Sequence, residues 1–110
     1  MIVSDSGPII AFSRIGRLDI LHELFSRVII PDAVHDELIM KGQGRQGAIE
    51  ISQSLWIQHR TVANQAYLER LARTIHAGER EAIAIAREMN AQLLIDELRK
   101  KVARCQDSPF

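Results

Sequence analysis

The chain contains 110 residues, of which 46% are hydrophobic and 25% are charged, and these proportions are typical of one ordinary globular domain. Its fourteen basic and fourteen acidic side chains cancel, which excludes a bulk electrostatic attraction to nucleic acid but not a local basic patch. The single cysteine, Cys105, excludes an internal disulfide and fits a reducing compartment. No apolar run approaches the ~20 residues that span a bilayer, and the first residues lack the pattern of a signal peptide. We therefore expect a cytoplasmic protein that does not contact a membrane.

The first nine residues combine a buried strand with a carboxylate at its end. Ile2 and Val3 run without a polar break, and Asp5 follows where the strand should end. Ser6, Gly7 and Pro8 then form a tight turn into a helix. In open α/β sheets the ligand site lies outside the carboxyl ends of the strands, so Asp5 is a candidate site residue. The alternative is that Asp5 only caps the helix that begins at Pro8.

The rest of the chain alternates between helices and short apolar runs. In order, we predict helices over 8–16 and 18–25, a strand over 28–30 bounded by Pro31, a helix over 32–40, a loop over 41–47, a helix over 48–55, an edge strand over 56–59, a helix over 64–75 capped by Asn64, a buried helix over 79–90, a third apolar strand over 92–95 and a helix over 98–104. Apolar strands joined by helical crossovers run parallel. The order predicts an α/β fold with a parallel sheet.

Glu37 lies on the inner face of the helix predicted over 32–40. It follows Ala33 and Val34 by four and three residues, and this spacing places all three side chains on one face. A carboxylate that faces the core is costly unless it is paired or binds a cation. Glu37 is therefore a second candidate site residue, and an ion pair with an arginine is the alternative.

Acidic residues also stand at two later positions. Glu79 and Glu81 lie in the first turn of the helix predicted over 79–90, and Asp96 and Glu97 follow the third apolar strand. Each position has a structural alternative. Glu79 and Glu81 would be favourable at a helix N-terminus, and Asp96 would cap the last helix.

The parallel sheet brings these acids together. The carboxyl ends of parallel strands lie at one edge, so Asp5, Glu37 and the later acids are expected to meet there. Packed carboxylates repel each other, and Mg²⁺ or Mn²⁺ resolves that conflict because both ions take oxygen ligands. Two such ions ~4 Å apart activate a water and stabilise the leaving oxygen in phosphodiester cleavage. The sequence therefore predicts a divalent-metal site at this edge.

Other reactive side chains form no recognisable site. His22, His35, His59 and His76 lack the spacing of metal ligands, and we predict that they are surface residues. The glycines in the loop over 41–47 lack the lysine and the strand–turn–helix context of a phosphate-binding loop.

Four segments together resemble the PIN-domain nucleases, and they are most similar to small prokaryotic proteins related to VapC-type toxins. They are residues 3–10, 28–38, 76–86 and 93–99. The resemblance covers nearly the whole chain and implies a three-layer α/β/α sandwich with a central parallel sheet. It also implies metal-dependent cleavage of RNA with Mg²⁺ or Mn²⁺, and often a homodimer silenced by a cognate antitoxin protein.

The resemblance also implies roles for individual residues. Asp5 and Glu37 match the first two acids of the family, and Glu81 matches the third, with Glu79 as a competitor in the same turn. The fourth acid falls on Asp96 or Glu97, where related proteins often have two aspartates. Two further residues are implied in substrate binding: Ser6 would position the first carboxylate or a metal-bound water, and Arg99 would contact RNA phosphate.

The end of the chain departs from the family pattern. Related proteins continue into another strand and further helices, whereas this sequence ends in a segment that does not look like that continuation. We therefore expect one PIN-like domain over residues 1–104, incomplete at its C-terminus, and an irregular tail over 105–110. The departure also favours an alternative function, in which a truncated and inactive protein binds a partner helix or dimerises.

Overall fold

The computed structural model describes residues 1–41 and 46–95. Its elements are β1 (Ile2–Ser4), α1 (Ser6–Arg14), α2 (Leu18–Phe25), β2 (Val28–Pro31), α3 (Asp32–His35), a π-helical turn (Asp36–Met40), α4 (Gln46–Gln53), β3 (Ile57–Arg60), α5 (Gln65–Arg70), α6 (Ala77–Met89) and β4 (Gln92–Leu94). The helix predicted over 98–104 lies outside the described residues. Within the described part of the chain, no helix is long and apolar enough to cross a membrane.

The four strands form one parallel sheet in the order β3-β2-β1-β4. This confirms the α/β fold with a central parallel sheet, and it confirms β3 as the strand at one edge. The central strand β1 is buried along its length, and each side of it is paired: Val3 lies opposite Ile29 of β2 and Leu93 of β4. The apolar runs predicted β1 and β2 because both faces of these two central strands are covered.

Helices cover the two faces with separate apolar clusters. On one face, Ile2 and Val28 pack with residues of α1 and α2 such as Ile9 and Leu21. On the other face, the strand residues Val3 and Ile29 pack with the alanines and Ile85 of α6. Alternate residues of a strand point to opposite faces, so the same two strands supply both clusters. The layers are therefore helix, sheet and helix, as predicted.

Helix α1 begins at Ser6, two residues before the predicted start at Pro8. Asp5 is its N-cap, and the Ser6 N–H donates to Asp5 Oδ1 at 2.6 Å. Pro8 lies in the first turn, where a backbone N–H has no partner within the helix, so its missing N–H removes no helical hydrogen bond.

The helix capped by Asn64 is shorter than predicted. The Tyr67 N–H donates to Asn64 Oδ1 at 3.0 Å, which confirms the cap, but α5 ends at Arg70 and not near Ile75. The carbonyl oxygen of Leu68 accepts from Arg80 Nη2 of α6 at 2.8 Å as well as from the Leu71 N–H at 3.2 Å. A side chain from another helix thus satisfies a carbonyl in the last turn, and the chain leaves the helix there.

Candidate active site

Asp5 lies at the carboxyl end of β1 and is fully buried. Its backbone N–H donates to the Leu94 carbonyl oxygen at 3.0 Å, so the ends of β1 and β4 are adjacent. Its Oδ1 accepts from the Ser6 N–H at 2.6 Å and lies 3.4 Å from Ser6 Oγ. Asp5 therefore does cap α1, and it also stands at the sheet edge where a ligand site is expected.

The carboxylate of Asp5 also lies against the first turn of α6. A methyl group on Gly78 would lie 3.4 Å from Asp5 Oδ1 and 3.0 Å from Cγ2 of Val34 in α3. Glycine at this position lets the end of β1 and the helices α3 and α6 approach each other closely. Glu79, the next residue, is only 2% exposed. The N-terminus of a helix favours negative charge, and this suits both carboxylates.

Glu37 lies in the π-helical turn that continues α3. The Lys41 N–H donates to the Asp36 carbonyl oxygen at 3.0 Å, which is the five-residue step of a π-helix. The Glu37 side chain is half-buried, and its Oε2 is buried with no hydrogen-bond partner among the described residues. A buried carboxylate oxygen of this kind is costly, and π-helical turns are frequent at functional sites.

Glu81 makes a different contact. Its Oε1 accepts from the Ala33 N–H, in the first turn of α3, at 3.0 Å. The two residues are 48 positions apart in the sequence, so this hydrogen bond joins α6 directly to α3. Glu79 and Glu81 are two residues apart on one helix and therefore face different directions.

The remaining predicted site residues, Asp96, Glu97 and Arg99, lie outside the described residues. Of the others, Asp5 and Ser6 are in direct contact, and Gly78 places the first turn of α6 beside Asp5. Within residues 1–41 and 46–95, no three carboxylate, imidazole or thiol groups are arranged so that they could hold one metal ion.

A second polar cluster at the same edge was not predicted. Asp32 follows β2 directly, and its Oδ1 contacts His59 Nε2 of β3 and accepts from Thr61 Oγ1 at 3.2 Å. The ring of His59 stacks on the ring of His35 with centroids 4.3 Å apart. His22, His59 and His76 are exposed, as predicted, whereas His35 is half-buried. The contact between Asp32 and His59 depends on the register of β2 and β3, which the spacing of these residues in the sequence does not reveal.

The chain has a parallel sheet between two helical layers, with buried carboxylates beside the carboxyl end of the central strand. These features define the class of α/β domains whose ligand site lies at that edge of the sheet. The family model DUF3368, described as a PIN domain, matches residues 1–107. The chain therefore belongs to the PIN-domain family, a family of nucleases. Comparisons with curated proteins and with solved structures gave no match.

PIN domains typically use divalent metal ions, and two features of this chain fit such an ion. The candidate metal ligands among the described residues, Asp5, Glu37 and Glu79, all carry carboxylates, which supply the oxygen ligands that Mg²⁺ and Mn²⁺ take. The buried Oε2 of Glu37 has no hydrogen-bond partner among the described residues, and a cation would compensate its charge.

Proposed function

We propose that this protein is a Mg²⁺- or Mn²⁺-dependent ribonuclease that hydrolyses phosphodiester bonds in RNA. The observation that carries the proposal is the close approach of Asp5 to the first turn of α6: a β-carbon on Gly78 would lie 3.4 Å from Asp5 Oδ1. This approach brings the first predicted acid to the helix that bears the third one. Membership in the PIN-domain family supports the reaction class.

In this proposal Asp5 and Glu37 hold the metal, together with Glu79 or Glu81 and with Asp96 or Glu97. The geometry favours Glu79 over Glu81, because Glu79 is buried beside Gly78 whereas Glu81 bonds α3. Divalent ions at this edge would neutralise the carboxylates and stabilise charge on the phosphate during hydrolysis. Ser6 holds Asp5 Oδ1 through its N–H, which fixes the orientation of that carboxylate. We assign Arg99 to RNA phosphate.

Cleavage of a labelled single-stranded RNA tests the proposal. We expect cleavage with Mg²⁺ or Mn²⁺, none in excess chelator, and a loss of about 100-fold or more in Asp5→Asn. The asparagine oxygen still accepts from the Ser6 N–H, so α1 stays capped and the loss reports on the charge. Glu69→Gln, an exposed change on α5, is the matched control and should cleave normally. Cleavage that persists in chelator, or in Asp5→Asn, would contradict the proposal.

The resemblance to VapC-type toxins also supports a proposal for the role of the protein in the cell. We assign the protein to the toxin half of a toxin–antitoxin pair, acting in the cytoplasm as a homodimer until its antitoxin binds. Expression of the wild type should arrest growth, expression of Asp5→Asn should not, and coexpression of a cognate antitoxin should restore growth. Light scattering of the purified protein tests the dimer. Growth arrest by both forms alike would contradict this role.

A further inference from the structure

The first turn of α3 lacks a capping side chain of its own. Its N-cap is Pro31, whose side chain has no hydrogen-bond acceptor, and the structure records no side-chain cap there. Asp32, the next residue, carries a carboxylate, but its Oδ1 is engaged by His59 and Thr61 on the β3 side. The N–H groups at the start of α3 therefore need an acceptor from elsewhere.

Glu81 of α6 supplies that acceptor. Its Oε1 accepts from the Ala33 N–H at 3.0 Å, and the residue is half-buried. Gly78 precedes Glu81 by three residues, so the two lie on one face of α6, and a β-carbon on Gly78 would be 3.0 Å from Val34. One face of α6 thus contacts two successive residues of α3, one through packing and one through a hydrogen bond.

This contact bears on Glu37, which lies one helical turn beyond Ala33. We infer that Glu81 is a positioning residue: it fastens the first turn of α3 to α6, and it thereby sets the place of Glu37 relative to Asp5 and Glu79. In this role Glu81 is not a metal ligand, and Glu79 is the third acid. The inference rests on the proposed function only for its effect on metal binding; the fastening itself does not depend on it.

Three variants separate the roles of the two glutamates. Glu81→Gln keeps an oxygen acceptor for the Ala33 N–H and removes the charge, Glu81→Ala removes both, and Glu79→Gln removes the charge from the neighbouring acid. For each we would measure hydrogen exchange of the Ala33 amide by NMR, Mn²⁺ affinity by calorimetry, and kcat and KM for RNA cleavage. Glu81→Met, which keeps the side-chain length without the acceptor, replaces Glu81→Ala if the alanine variant does not fold.

We expect the Ala33 amide to exchange about tenfold faster in Glu81→Ala than in the wild type, and near the wild-type rate in Glu81→Gln and Glu79→Gln. Mn²⁺ affinity should fall about 10-fold in Glu81→Ala and should stay within about threefold of the wild-type value in Glu81→Gln. In Glu79→Gln, which loses the charge of a metal ligand, it should fall about 100-fold. The cleavage loss in Glu81→Ala should appear mainly in kcat, because a misplaced Glu37 affects the reaction more than RNA binding.

Two results would overturn the inference. An unchanged Ala33 exchange rate in Glu81→Ala would show that no fastening exists, and a loss of Mn²⁺ affinity in Glu81→Gln as large as in Glu79→Gln would make Glu81 a ligand. Failure of the proposed function looks different: the wild type would bind no Mn²⁺ and cleave no RNA, while the exchange rate of Ala33 would still test the fastening.

Discussion

The carboxylate of Asp5 meets the backbone of Gly78: Asp5 Oδ1 lies 3.4 Å from the point where a β-carbon on Gly78 would sit. Asp5 ends the central strand, and Gly78 is the second residue of the helix that carries Glu79 and Glu81. Two elements more than seventy residues apart in the sequence thus lie so close that a methyl group between them would touch the carboxylate.

A methyl group at Gly78 should disturb the site more than the fold. In Gly78→Ala the higher helix propensity of alanine, worth up to ~1 kcal/mol, opposes the tight contact with Val34. We expect the free energy of unfolding to change by less than about 1 kcal/mol. Mn²⁺ affinity should fall about tenfold, because the tight contact with Val34 shifts α3, and with it the turn that carries Glu37, relative to Asp5. Urea unfolding and calorimetry measure the two quantities. Unchanged Mn²⁺ affinity would show that Gly78 does not border the site.

Asp5 has a structural role that alanine removes and asparagine keeps. In Asp5→Ala the Ser6 N–H loses its side-chain acceptor, so α1 loses its cap, at a cost of about 1 kcal/mol relative to Asp5→Asn. RNA cleavage should be lost in both variants. Urea unfolding of the two proteins side by side measures the difference, and equal stabilities would mean that the cap contributes nothing.

Glu88 should stabilise the fold without affecting the site. Its carboxylate accepts from the Ala63 N–H at 3.0 Å and from the Asn64 N–H at 2.9 Å, which ties the start of α5 to α6. Both bonds are exposed, so Glu88→Ala should lower the free energy of unfolding by about 1 kcal/mol and leave Mn²⁺ affinity unchanged. Glu69→Gln, on the exposed surface of α5, is the control for stability. A loss of metal affinity in Glu88→Ala would show that this anchor also places the candidate site.

The helix α6 is fixed to the sheet by Ile85, which is fully buried. Ile85→Ala should lower the free energy of unfolding by about 2–5 kcal/mol, and Ile85→Val by about 1 kcal/mol, because the cavity grows with the atoms removed. Thermal and urea unfolding measure both variants. If the two substitutions cost the same, the packing around Ile85 is looser than the structure shows.

The strands could be predicted because a parallel strand buried on both faces is apolar without interruption. The runs that begin at Ile2 and Val28 follow this rule, and β4, at the edge of the described sheet, is apolar at Leu93 and Leu94 although it is only half-buried there. The carboxyl-edge rule then placed Asp5 near the start of α6. The position of Asp5 beside Gly78 thus follows from chain order and strand direction.

The end of α5 and the partner of Glu81 could not be predicted, since both depend on distant residues. Apolar residues continue at helical spacing from Leu68 to Ile75, yet Arg80 bonds the Leu68 carbonyl and the helix stops. Likewise, the Ala33 N–H donates to Glu81, a residue 48 positions away, while the carboxylate of Asp32 contacts His59 of β3. Local propensity contains no information on such contacts between helices.

The central claim is that Asp5, Glu37 and a glutamate of α6 bind a divalent cation, although these side chains are not arranged as a set of metal ligands in the described residues without it. A calorimetric titration with Mn²⁺ tests the claim most directly. The wild type should bind Mn²⁺ saturably, Glu37→Gln should bind it about 100-fold more weakly, and the control Glu69→Gln should match the wild type. A wild type without saturable binding, or a Glu37→Gln protein that binds equally well, would contradict the account.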